Sequence, residues 1–148
     1  AYAYAPDVLL EAYVDGVELT VPVLDLGEGP RALAPMLIEL PAGTSYDYQA
    51  RYDASSRVRY TSLADDDDRV DVPAVRAVAE QVHRLLGLRD LSRVDVLIGV
   101  DGAPQVLEAA VTPGLTETST WPLAVSSAGH DLGEVYQTLV GNAQRRGG

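Results

Sequence analysis

Two periodicities divide the chain. In the N-terminal part, apolar residues form short strand-like runs, at Asp7–Val14 (DVLLEAYV) and Val17–Asp25 (VELTVPVLD). The Asp15-Gly16 pair between them predicts a two-residue hairpin turn. Leu26–Ala32 predicts a second turn and Leu33–Leu40 a third strand. Pro22 and Pro35 lack the N–H a central ladder needs, so they predict edge positions or bulges. From Pro41 to Asp68 the pattern is lost, apart from one short strand at Val58–Ser62. This stretch holds Tyr46, Tyr48 and Tyr52 and ends in four consecutive aspartates. So long an unpatterned run is usually functional or disordered.

The period then changes to that of a helix. Val72, Val75, Val78, Ala79, Val82, Leu85 and Leu86 recur on one stripe, Asp71 is positioned to cap its start, and Gly87 to end it. Arg76, Glu80 and Arg84 ladder the polar face, and His83 borders the stripe as a surface or boundary residue. Arg93–Val100 and Pro104–Ala110 predict a second hairpin around Asp101-Gly102. Pro122 opens a short helix, with Trp121 before it as a packing anchor. Asp131 and Glu134 make a capping-box-like start for a last helix on Leu132, Val135, Tyr136, Leu139 and Val140. Strands, loop, helix, hairpin and helices in that order define an α+β domain built on a largely antiparallel sheet with flanking helices.

Composition narrows the function. The chain has 148 residues, the size of one domain, and a net charge of −11. That charge, without a basic patch, argues against nucleic acid and anionic membranes as partners. No run approaches the roughly 20 apolar residues of a membrane span, and no signal peptide is visible, so a cytoplasmic location is the expectation. Without Cys there are no disulfides, thiolates or structural zinc. All 11 cations are Arg. The aspartate run at 65–68 reads as a solvated loop tip, since it lacks the alternating ligands and Gly of a calcium loop.

The second hairpin carries the candidate chemistry. Asp95 and Glu108 are equidistant from the Asp101-Gly102 turn and so are expected to face each other. Paired carboxylates repel unless a cation joins them, and Mg²⁺ commonly bridges one or two carboxylates to phosphates. The competing reading is two exposed acids in an acidic protein.

Four segments decide between these readings: LEAYVDGVELTV, YDYQARY, RVDV and LEAAVTPGLTETS. In order and spacing they resemble the C-terminal ATP-grasp part of the D-alanine–D-alanine ligase family, from Leu9 to about Val140. The resemblance implies the C-terminal half of an ATP-grasp fold, with ATP and Mg²⁺ (or Mn²⁺) as cofactors. It implies D-alanine-like amino acids as substrates, joined through an acyl phosphate to make a peptidoglycan precursor. Asp95 and Glu108 match the family's metal carboxylates. Arg93 and the Gly114 N–H match the groups that stabilise the developing oxyanion. Ser119 matches the hydroxyl that holds the second amino acid's carboxylate. Glu11 and Val14 match the adenine pocket, and Glu18 the acid on the ribose. Tyr46–Tyr52 match a mobile lid in which Arg51 faces phosphate and Tyr52 the substrate.

The chain also departs from the pattern. Ala110 replaces an Asn of the metal site, and Arg51 replaces a lid Lys. The family's N-terminal and central segments, which bring the glycine-rich loop and a second Lys, have no counterpart in residues 1–148. Two expectations follow. One is a segment of an ATP-dependent ligase, inactive in isolation, that works with a missing N-terminal half or as a homo-oligomer. The other is a degenerate, non-catalytic ATP-grasp-like module that binds a partner protein.

Overall fold

The computed structural model describes residues 6–39 and 58–147. Six strands form one sheet: β1 (Gly16–Leu24), β2 (Arg31–Ala32), β3 (Met36–Glu39), β4 (Arg59–Ser62), β5 (Leu91–Gly99) and β6 (Pro104–Ala110). Among the described residues three helices accompany them: α1 (Val72–Leu85), α2 (Thr120–Ser127) and α3 (Leu132–Gly147). The strand order is β4-β3-β1-β5-β6, with β2 continuing the β3 side of β1, and every pairing is antiparallel. The expected α+β class is therefore the one observed.

β1 is the central strand, and alternation along it sorts the molecule into two layers. Leu19, Val21 and Val23 point to one face, where they meet Val94, Val96 and Ile98 of β5 beneath Val72, Val75 and Ala79 of α1. Leu24 and Met36 point to the other, under Trp121, Ala124 and Val125 of α2 and Val135 and Leu139 of α3. Helices α2 and α3 cover only the Leu24 end of that second face. The half around Thr20 and Asp95 is left for a cleft.

Local chemistry explains the boundaries. Asp71 caps α1 by accepting the Ala74 N–H at 3.0 Å. Gly87 ends the helix in the left-handed region, at φ +61. Asp131 caps α3 through the Glu134 N–H at 2.9 Å. Pro22 lies within the central strand, yet its carbonyl accepts the Leu33 N–H at 2.8 Å where the pairing breaks between β2 and β3. Its ring nitrogen faces that same side, so the absent donor falls in the break, as the bulge expectation requires. The aspartate run is solvated as expected, with Asp65, Asp66 and Asp68 exposed, and Asp65 also pairs with Arg76 at 2.6 Å. The Arg69 guanidinium and N–H hold the Asp67 carboxyl down to about 2.

Three expectations fail. Residues 7–15 form no strand, and Asp15-Gly16 is not a hairpin turn. A strand needs a neighbour, and the described residues supply none there; Leu9, Leu10 and Tyr13 stay exposed. Gly16 instead starts β1 opposite Gly99, where an added Cβ would lie 2.2 Å from the Ile98 carbonyl oxygen. The glycine permits close passage of two backbones. His83, expected at the surface or the boundary, is 2% exposed and sits between α1 and β5, with Nδ1 2.8 Å from the Ser92 hydroxyl. Its Nε2 has no hydrogen-bond partner among the described residues.

Burial pushes the His83 imidazole below its usual value of 6.5. The neutral ring is the folded form, so the unfolded chain binds the extra proton. Stability should be complete above about pH 6.5 and fall as the pH drops below it. Urea midpoints measured near pH 7.5 and near pH 5 should separate more for the wild type than for His83→Gln. Equal separation would show that another group dominates acid sensitivity.

Candidate active site

The exposed half of the second face forms a cleft of about 530 Å³. Its floor is a rung across three strands. Thr20 on β1 pairs with Asp95 on β5, and Asp95 pairs with Glu108 on β6. One rung down, Arg93 pairs with Ala110. All five line the cleft. The walls are Ile38 and Tyr60 on one side and the loop Thr112–Thr120 on the other, which contributes four threonines, Gly114 and Ser119.

The facing of Asp95 and Glu108 is as expected, but the strand reaches it by a different route. Near the turn the ladder is centred on Asp101, pairing Ile98 with Pro104 and Val96 with Val106. Continued regularly, it would turn Glu108 to the α1 face. A bulge between the Val96 and Asp95 pairs leaves Leu107 unpaired, and the register resumes with Glu108 opposite Asp95. Bulges re-aim side chains in this way beside functional sites.

Arg93 holds the two acids together. Its Nε donates to Asp95 Oδ1 at 2.9 Å and its Nη2 to Oδ2 at 2.7 Å, a bidentate fork. The same Nη2 donates to Glu108 Oε1 at 2.9 Å. Thr20 adds a donor to Asp95 Oδ1 at 2.7 Å. Arg93 and Asp95 are each 9% exposed, whereas the Glu108 side chain is 55% exposed. The acids' repulsion is thus relieved within this chain by a guanidinium, where the sequence points to a metal or to plain exposure.

Among the described residues no group of three or more acids or imidazoles is arranged to hold a metal. Two carboxylates meet the requirement of Mg²⁺, which keeps waters and takes phosphate oxygens for the rest of its shell. Asp95 and Glu108 are hard oxygen donors on one rung and open to the cleft, so the donor set fits. Ala110 lines the same cleft without a donor atom.

The loop over the cleft is shaped by Gly114 and Ser119. A Cβ on Gly114 would come within 2.6 Å of the Ser119 hydroxyl, so a larger residue there would make the Ser119 side chain shift. Ser119 begins α2 but does not cap it with its side chain. Its hydroxyl instead pairs with that of Thr116 at 2.7 Å, at the edge of the cleft. Trp121 anchors the helix from beneath: it is fully buried, donates Nε1–H to the Val23 carbonyl at 3.2 Å and stacks on Tyr136.

The structure therefore brings together Arg93, Asp95, Glu108, Gly114 and Ser119. Glu18 lies on the Thr20 side of β1 by alternation, two residues away. Glu11 is exposed in the unpaired stretch, and Val14 sits beside Gly99; neither lines the cleft. Arg51 and Tyr52, with the rest of the lid, lie outside the described residues. Thr20 and Thr116 escaped the sequence reading. For Thr20 a signal existed: a hydroxyl two residues from Glu18, inside an otherwise apolar run.

The chain matches the family described as the D-ala D-ala ligase C-terminus over residues 1–141. It is 36% identical over 143 residues to a D-alanine–D-alanine ligase of Cupriavidus necator, covering 97% of this chain and 43% of that protein. Against the enzyme of that name from Cupriavidus metallidurans it is 40% identical over 126 residues, covering 83% and 37%. Among solved structures, D-alanyl-alanine synthetase A from Vibrio cholerae superposes with a TM-score of 0.79 at 27% identity, over 95% of this chain and 42% of that one. The D-alanine–D-alanine ligase of Bacillus anthracis, at 24% identity and a TM-score of 0.71, over 91% of this chain and 42% of that one, shares the fold. The fold is that of the C-terminal half of an ATP-grasp protein. This chain belongs to the D-alanine–D-alanine ligase family, and its match is to the C-terminal part of that family. It spans about two fifths of the length of the relatives it matches.

Proposed function

We propose that residues 1–148 supply the metal- and substrate-facing half of an ATP-dependent ligase that joins two D-alanine-like amino acids. The carrying observation is the rung of Asp95 and Glu108, clamped by Arg93 and roofed by the Gly114–Ser119 loop. In this reading Asp95 and Glu108 hold Mg²⁺ (or Mn²⁺), and Glu18 and the lid residue Arg51 face the nucleotide. Magnesium-bound ATP would supply the phosphoryl group that activates one carboxyl. Arg93 and the Gly114 N–H then stabilise the oxyanion that forms when the second amine adds, a task suited to a fixed cation and a preorganised amide. Ser119, with Tyr52 of the lid, orients the second amino acid. No helix among the described residues is long and apolar enough to cross a membrane; a cytoplasmic enzyme of cell-wall precursor synthesis accords with this.

A second reading rests on Ala110. The cleft offers a methyl where the family pattern has an Asn, which favours a module that binds nucleotide weakly or only a partner protein.

One experiment separates them. Residues 1–148 alone should release no ADP from ATP, Mg²⁺ and D-alanine. Fused to the N-terminal and central segments of the Cupriavidus necator relative, they should turn over, and Ala110→Asn should lower the Mg²⁺ concentration required. A folded fusion that stays silent both as it is and with Ala110→Asn would favour the non-catalytic module.

A further inference from the structure

Thr20 is 2% exposed, in the middle of the central strand. Its neighbours Leu19 and Val21 serve the core beneath α1, whereas Thr20 turns to the cleft and meets its rung partner Asp95. A carboxylate accepts only, so the hydroxyl is the donor of this 2.7 Å bond. The β-branched side chain has restricted χ1 freedom, so its hydroxyl direction is held by the backbone.

A carboxylate offers about four lone-pair directions. At Asp95 three donors use them: Nε and Nη2 of Arg93, and the Thr20 hydroxyl. Arg93 approaches along its own strand, two residues away, and Thr20 from the neighbouring strand on the side opposite Glu108. Together they fix the carboxylate plane. Oδ1 accepts two of these donors and Oδ2 one, and Glu108 is the rung partner on the other side. Without Thr20, Arg93 is the one anchor left among the described residues, and the carboxylate is held less firmly about its terminal bond.

We propose that Thr20 is a positioning residue, whose hydroxyl orients the Asp95 carboxylate for a divalent cation shared with Glu108. This rests on the reading of those two acids as metal ligands, and the test keeps the two ideas apart. Partners in the outer shell of a metal site typically contribute about 10- to 100-fold in affinity.

The test is a Mn²⁺ titration of the chain followed by electron paramagnetic resonance of free Mn²⁺, with folding checked by circular dichroism. Thr20→Val keeps shape and removes the donor, and should raise the dissociation constant about tenfold. Thr20→Ala should weaken binding as much, and Thr20→Ser should restore it. Asp95→Asn should abolish the Mn²⁺ signal change. If Asp95→Asn abolishes binding while Thr20→Val and Thr20→Ala bind as the wild type does, the positioning role is overturned and the metal reading stands. If Thr20→Ser is as weak as Thr20→Val, a hydroxyl at this position does not suffice to orient the carboxylate, which also overturns it. If Asp95→Asn binds normally, the metal reading fails and the role of Thr20 fails with it.

Discussion

Replacing Arg93 with methionine should lower unfolding stability by about 3 kcal/mol while tightening the binding of a divalent cation. Breaking a buried ion pair by removing one partner typically costs about 3–5 kcal/mol, because the other charge is left uncompensated. The lower end applies, since Asp95 keeps Thr20 and Glu108 is half-exposed. The metal effect runs the other way. The guanidinium bridges both acids, so it competes with any cation placed between them and repels it. Without it, the trio's net charge changes from −1 to −2. Urea denaturation with and without Mg²⁺ reads both effects: Mg²⁺ should raise the Arg93→Met midpoint more than the wild-type midpoint. Equal gains would mean that the cation does not share the acids with Arg93.

Trp121→Ala should cost about 3–5 kcal/mol, the usual penalty for truncating a large buried aromatic. The indole is fully buried among Leu24, Leu33 and Met36, its N–H is spent on the Val23 carbonyl, and Tyr136 stacks on it. Nothing nearby can fill so large a void without moving α2. The consequence reaches the cleft, because Ser119 stands two residues before the tryptophan at the start of the same helix. Trp121→Phe should lose less, retaining the stack but not the hydrogen bond. Circular dichroism in urea is the suitable probe, since this is the only tryptophan. A loss below about 1 kcal/mol would show that α2 is held by other contacts.

What the sequence made legible, and what it hid, follows from the range of each interaction. α1 is written locally: its Asp71 cap, its Gly87 stop and the Val72, Val75 and Ala79 part of its stripe recur in the structure, while Leu85 and Leu86 at its end stay exposed. The second hairpin is legible because antiparallel strands joined by a turn must pair. Its bulge is not, because Leu107 carries no turn or glycine signal, and only the resumed ladder shows that a residue was skipped. The first hairpin was misread because the Asp15-Gly16 pattern reports backbone freedom. Close approach to Ile98 uses the same residue for a different reason, its lack of a Cβ. His83 was misplaced for a related reason. It lies at the margin of the helical stripe, and which margins are buried depends on Ser92 of another element. Within the site, the facing acids follow from the spacing about the hairpin turn, whereas Arg93, Gly114 and Ser119 rest on a resemblance. Their mutual contacts, and Thr20, needed the third dimension.

The central claim is that Asp95 and Glu108 form one cation site on a shared rung. Adding Mn²⁺ stepwise to the ¹⁵N-labelled chain tests it directly, because the ion broadens nearby amides first. Broadening should begin at Thr20, Asp95 and Glu108, and Asp95→Asn or Glu108→Gln should abolish it. The run at Asp65–Asp68 is the competing acidic cluster. If its amides broaden first and the rung responds only later or not at all, the rung is not the preferred metal site and the proposed mechanism loses its basis.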